Sequence, residues 1–175
     1  ESDQPFNIDN KIFIIFNGEI YNHIEIREIL KKEGLKFRTR SDTEVILNSY
    51  KLWGKECIKK FNGMWSFVIF DLKRNEVFCS RDRFGIKPFY YVVNDNKIFI
   101  ASELKQFNKF KFGRKANFQQ IQIYLFSGLT NTSNETFFKD INCLNPGENI
   151  LINLNKNSIQ KYKWYYPKIK NENKF

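Results

Sequence analysis

The sequence predicts an α+β domain, with helices packed on antiparallel sheets. Apolar residues at helical spacing cluster in two stretches, one before Gly54 and one after Asn117. Between them, runs of β-branched and aromatic residues come in pairs around short turn signals, the pattern of hairpins. The chain has 175 residues and is 42% apolar, enough for one domain with a real core.

The elements follow in order. Lys11 to Phe16 (KIFIIF) reads as a buried strand that ends at the turn signal Asn17-Gly18. His23 to Glu33 places Ile26, Ile29 and Leu30 on one helical face, pairs Glu28 with Lys32 on the other, and closes at Gly34. Ser41-Asp42-Thr43-Glu44 has the form of a capping box. The helix after it aligns Ile46, Tyr50 and Trp53 and stops at Gly54. Met64 to Asp71 and Glu76 to Asp82 flank the turn Lys73-Arg74-Asn75. Phe89 to Val93 and Lys97 to Ala101 flank Asn94-Asp95-Asn96. A third helix has Asn117 as N-cap, is expected to bury Phe118, Ile121 and Leu125, and ends near Gly128. Pro146-Gly147 turns the chain into a last hairpin, Asn149 to Asn155 and Ser158 to Trp164. The polar tail from Lys168 is expected to fray. No internal repeat is visible, and one domain is the simplest division.

Composition excludes several classes. An aromatic content of 17%, with 19 Phe, is not that of a disordered chain. The net charge is +10, but 22 of the 29 basic residues are Lys and they are scattered, apart from a looser run from Lys156 to Lys174. Arg, the usual base reader, is scarce, so no nucleic-acid partner is expected. Cys57, Cys79 and Cys143 form no C-x-x-C pair and are odd in number, which fits a reducing cytoplasm and three structural thiols. With one histidine, His23, a metal site has little to draw on. No apolar stretch is long enough to cross a membrane as a helix.

Three segments hold more polar chemistry than folding needs. A side-chain amide followed by a glycine N–H, as in Asn17-Gly18, offers two donors that can converge on one oxyanion. It is equally an ordinary turn pair. Asp42 is either a carboxylate for a substrate ammonium group or a first-turn acid that stabilises its helix. Arg81 to Pro88 packs three cations, an acid, a glycine and a proline between strands. It is read either as a grip on a phosphate or partner domain, or as a solvated loop with weak ion pairs.

Taken together, the ordered blocks resemble a known family. Phe16-Asn17-Gly18-Glu19-Ile20-Tyr21-Asn22, the Ser41-Asp42-Thr43-Glu44-Val45-Ile46-Leu47 run, Ser80 to Tyr91 and Ala101-Ser102-Glu103-Leu104-Lys105 match in sequence order. So do Gly34, Phe37, Trp53-Gly54, Gly63-Met64, Pro146-Gly147 and Tyr162 to Tyr166. The chain resembles class II glutamine amidotransferase domains, and within them glutamine-hydrolysing asparagine synthetase. Phe16 before Asn17, together with the Arg81 to Pro88 block, favours the synthetase branch.

The resemblance implies an N-terminal-nucleophile hydrolase fold, an αββα sandwich lacking its first strands in this chain. Residues 1–166 would form the amidotransferase domain, N-terminally truncated, and 167–175 a tail or linker toward a missing synthetase domain. It implies an N-terminal cysteine that attacks the side-chain amide of L-glutamine, with its own α-amino group as base. Asn17 and Gly18 would stabilise the oxyanion, while Glu19 and Asp42 would hold the α-amino group of glutamine. Ammonia would pass to the synthetase domain, which uses ATP and Mg²⁺ to amidate aspartate; this domain itself would hold no cofactor and no metal. A homodimer is a possible assembly. The chain begins with Glu1 rather than cysteine, so by itself it is expected to be inactive. The strands that would carry the nucleophile and a carboxylate-binding arginine are expected upstream, and without them sheet edges stay open. A non-catalytic amidotransferase-like binding module that has lost the nucleophile remains an alternative.

Overall fold

The computed structural model describes residues 3–94, 97–130 and 133–167. In chain order its elements are β1 (Phe6–Asn7), β2 (Ile12–Ile20), α1 (His23–Lys32), α2 (Asp42–Trp53), β3 (Gly63–Asp71), β4 (Glu76–Arg81), β5 (Tyr90–Asn94), β6 (Lys97–Ala101), α3 (Phe118–Ser127), β7 (Asn142–Cys143), β8 (Glu148–Asn153) and β9 (Ser158–Lys163). Short 3-10 segments cover Gly54–Lys60 and Leu104–Phe110. One sheet has the order β1-β2-β3-β4-β8-β9, the other β6-β5-β7, and every pairing is antiparallel.

Side chains alternate across each strand, so each sheet offers two faces. Ile14, Phe16, Trp65, Phe67, Ile69 and Phe78 on one face of the large sheet pack with Ile26 and Leu30 of α1 and Ile46 and Tyr50 of α2. The opposite face gives Val68, Val77, Cys79, Ile150 and Ile152, which meet Tyr91, Ile98 and Ile100 of the small sheet. The outer face of the small sheet supplies Val92, Phe99 and Ala101, covered by Leu104, Phe107, Phe112 and Ile141. Three apolar layers thus separate helices, sheet, sheet and an outer helical layer, the αββα order that the resemblance implies.

The expected helices and hairpins are present, with corrections. Asn17-Gly18 is not a turn. Strand β2 runs through it, with Asn17 opposite Ser66 and Gly18 opposite Trp65. A Cβ on Gly18 would lie 2.2 Å from the Met64 carbonyl oxygen, so glycine serves a close strand approach here. On α1, Ile29 is exposed and Glu28 pairs with Lys31 at 2.8 Å rather than with Lys32. Helix α3 does have Asn117 as N-cap, its Oδ1 accepting the Gln120 N–H at 3.4 Å. Its buried side is not the predicted stripe: Gln120 is buried, while Phe118 and Leu125 are 74% and 75% exposed. Apolar spacing marks a stripe but does not say what covers it. The turn residues Asp95 and Asn96, and the tail from Lys168, lie outside the described residues.

Candidate active site

The outer edge of β2 gathers the predicted site residues. Strand β1 pairs only with Ile14 and Phe13, so beyond them the edge is finished by side chains. Gln4 donates from Nε2 to the Phe16 carbonyl and accepts the Phe16 N–H at Oε1, both at 2.8 Å. Four residues on, Asp42 Oδ2 accepts the Ile20 N–H at 3.0 Å. The Ile20 carbonyl lies 2.9 Å from His23 Nδ1, and since a carbonyl can only accept, that nitrogen carries the proton.

Gly18 sits between these two tied positions. In an antiparallel strand, alternate residues direct N–H and C=O to opposite edges. Phe16 and Ile20 point theirs outward, so Gly18 does too. Its cross-strand neighbour Trp65 is engaged elsewhere, with its carbonyl accepting the Asp82 N–H and its own N–H given to the Asp82 carboxylate. Among the described residues nothing pairs with Gly18 on that edge, so its backbone N–H is open there. Asn17, beside it, projects from the inter-sheet face into a cleft of about 360 Å³ shared with Ile15, Ser66, Ser102 and Gln106. Glu19 is exposed on the same face as Asn17.

A second network fixes Asp42. Ser41 caps α2, its Oγ accepting the Glu44 N–H at 3.4 Å. The predicted capping box is only half formed, because the Glu44 carboxylate does not return to Ser41. It is buried and accepts the Arg38 and Thr39 N–H groups at 2.8 and 2.7 Å and the Thr39 hydroxyl at 2.7 Å. Arg27 completes the clamp from α1, donating to the Thr39 and Ser41 carbonyls at 2.7 and 2.9 Å while lying over the Phe37 ring. The loop before Asp42 is thus tied from both sides. Asn17 and Gly18 are adjacent on β2, and Asp42 is tied to the same strand at Ile20; sequence reading missed the contributions of Gln4 and Arg27, because neither carries a local signal beyond its side-chain type.

Arg81 to Pro88 is not the solvated loop with weak ion pairs that was one reading of it. Arg81 and Asp82 are buried and spend their charge on backbone. Asp82 accepts the N–H groups of Trp65, Phe84, Ile86 and Lys87 at 3.0–3.2 Å. Arg81 donates to the carbonyls of Gly85, Lys87 and Leu144 and to Cys143 Sγ. Arg83 gives a hydrogen bond to the Phe61 carbonyl and lies over Trp65, Trp164 and Tyr165. These groups are not available to grip a phosphate.

All three cysteines are unpaired and buried. Burial pushes the thiols of Cys57 and Cys79 far up, and that of Cys143 up as well, although Arg81 beside it works the other way. None has the thiolate character of a nucleophile. Among the described residues no group of three or more His, Cys, Asp or Glu could hold a metal ion, and no helix is long and apolar enough to cross a membrane.

The four-layer sandwich has the fold of solved amidotransferases. Its fold matches the solved glutamine phosphoribosylpyrophosphate amidotransferase of Bacillus subtilis with a TM-score of 0.65 over 95% of this chain and 32% of that one, at 18% identity. A class-II glutamine aminotransferase domain protein from Silicibacter pomeroyi aligns at a TM-score of 0.53 over 92% of this chain and 70% of that one, at 13% identity. The sequence profile described as "Glutamine amidotransferase domain" matches residues 1–165, and the chain belongs to that family. It is 42% identical over 158 residues to "Putative asparagine synthetase (glutamine-hydrolyzing) 2" of Methanocaldococcus jannaschii, covering 89% of this chain and 30% of the relative. It is 38% identical over 160 residues to "Asparagine synthetase (glutamine-hydrolyzing) 2" of Bacillus subtilis, covering 88% of this chain and 21% of the relative. The chain therefore spans less than a third of the length of these relatives.

Proposed function

We propose that this chain is the glutaminase domain of a glutamine-dependent asparagine synthetase, releasing ammonia from L-glutamine for ATP-dependent amidation of aspartate. The open rung of β2 carries the proposal. Gly18 N–H and the Asn17 carboxamide are neighbouring donors held on rigid strand, the arrangement that stabilises the oxyanion of amide hydrolysis. Among the described residues Asp42 keeps one carboxylate oxygen uncommitted beside that edge, suited to the α-ammonium group of glutamine, with Glu19 on the adjoining strand position. The attacking thiol is an N-terminal cysteine that is not among residues 1–175. ATP and Mg²⁺ act in the synthetase domain, and no residue here is assigned to them. A reducing cytoplasm is the compartment we assign, supported by three unpaired buried thiols.

The test is glutamate release from L-glutamine by the full-length protein. Asn17→Ala should lower kcat by about 10²–10³ with little change in KM, as expected for a donor used in the transition state. A variant as fast as wild type would remove Asn17 from the oxyanion site. The 175-residue chain alone should release no glutamate. If the full-length protein also releases none yet binds glutamine by calorimetry, the domain is a binding module.

A further inference from the structure

We propose that Gln4 is a positioning residue for the Gly18 donor, its carboxamide standing in for a strand and fixing the edge on which that N–H is displayed. This rests on reading Gly18 as the oxyanion donor. The register of β1 on β2 (Phe6 opposite Ile14) places residue 4 opposite Phe16. There the side chain, not the backbone, closes the rung, with two reciprocal hydrogen bonds of 2.8 Å. A carboxamide is suited to this because it carries a donor and an acceptor in one plane, as a peptide does.

Along the outward edge of β2 the rungs are then filled in order. Ile14 is paired by Phe6, Phe16 by Gln4, and Ile20 by Asp42 and His23. Among the described residues, Gly18 is the rung left open, and it is bracketed by two closed ones. Freeing Phe16 would let the strand twist one residue pair away from the donor. Gln4 itself is exposed, so removing its carboxamide takes little from the core. Positioning and stability are therefore separable.

Two variants in the full-length protein test this. Gln4→Met keeps the length and deletes both hydrogen bonds. Its kcat for glutamate release should fall roughly ten- to hundredfold through misplacement of the donor, with KM within about twofold and little change in melting temperature. Gln4→Glu should resemble Gln4→Met at pH 8, where the carboxylate faces the Phe16 carbonyl without a proton to donate. As the pH falls toward 5, protonation restores donor and acceptor, and its rate relative to wild type should rise. A flat ratio near one for both variants overturns the proposal. So does a rate loss that tracks the melting temperature, with Gln4→Glu following Gln4→Met at every pH. If wild type itself hydrolyses no glutamine, the reading of the site has failed, and amide NMR decides Gln4 separately. In Gln4→Met the Phe16 amide should exchange faster and the Gly18 amide resonance should shift; both unchanged would overturn the assignment.

Discussion

Asp42 and Asp82 begin alike and end differently. Each accepts a backbone N–H from the large sheet, Asp42 from Ile20 and Asp82 from Trp65. Asp82 then takes three more amides from its own loop and is fully buried, so its charge is consumed by structure. Asp42 is half-buried and, among the described residues, makes that one hydrogen bond, while Arg27 and Glu44 secure the loop beneath it. A carboxylate saturated with donors holds a fold; one fixed in place but left unsaturated can hold a ligand.

Removing Asp82 should have the largest effect on stability. Asp82→Ala strands four N–H groups, that of Trp65 fully buried and three part-buried, at a summed cost of about 3 kcal/mol or more, read by urea denaturation. A loss below about 1 kcal/mol would erase the contrast between the two aspartates. Next, Gly18→Ala should destabilise by about 2–3 kcal/mol, because the new methyl meets the Met64 carbonyl at 2.2 Å and the strands must part. Asp42→Ala should cost no more than about 1 kcal/mol, the scale of one hydrogen bond and a first-turn charge, while weakening glutamine binding at least tenfold by calorimetry on the full-length protein. Loss of stability without loss of binding would make Asp42 a second Asp82.

Asp9 gives the smallest effect and a third kind of carboxylate. Burial alone would raise its pKa, but the hydrogen bond from Lys73 at 3.0 Å and the Lys11 and Ile12 amides prevail and hold it below the usual carboxylate range. A lowered folded pKa means stability that is present above the ordinary carboxylate range and is lost as pH falls through the lowered value. Lys73→Gln should flatten that acid-side loss by less than about 1 kcal/mol, since the pair lies at the surface with Lys73 about half exposed. A flattening of several kcal/mol would place Asp9 with Asp82.

Much of the architecture was legible. Caps at Ser41 and Asn117 and alternation in the hairpins are local signals, and the local backbone obeys them. What failed depended on distant partners. Asn17-Gly18 has turn chemistry, yet Gly63 to Ser66 pair with it and draw it into a strand. The covered side of α3 depends on what packs there, not on the helix's own spacing. The charges of Arg81 and Asp82 looked free because the amides and carbonyls they serve come from residues such as Trp65 and Leu144. For the site, Asn17, Gly18 and Asp42 were marked by residue type and resemblance, whereas Gln4 acts through a pairing that no local pattern announces.

The Arg81–Leu144 contact joins positions 63 apart, and the carbonyl of Asp82 also receives the N–H groups of Gly85 and Gly147. Adjacent residues therefore tie the mouth of a pouch holding the whole small sheet and α3, while β4 pairs directly with β8 across it. Closing a loop of that length costs about 3–4 kcal/mol of chain entropy before any contact forms. The β4–β8 pairing is accordingly expected to form late in folding, together with the pouch. Once tied, its loops away from Tyr91, Ile98 and Ile100, which pack on the large sheet, can lengthen or shorten without disturbing the register of that sheet. Variation in length among related chains should accumulate in those loops, and the β2 edge should be spared.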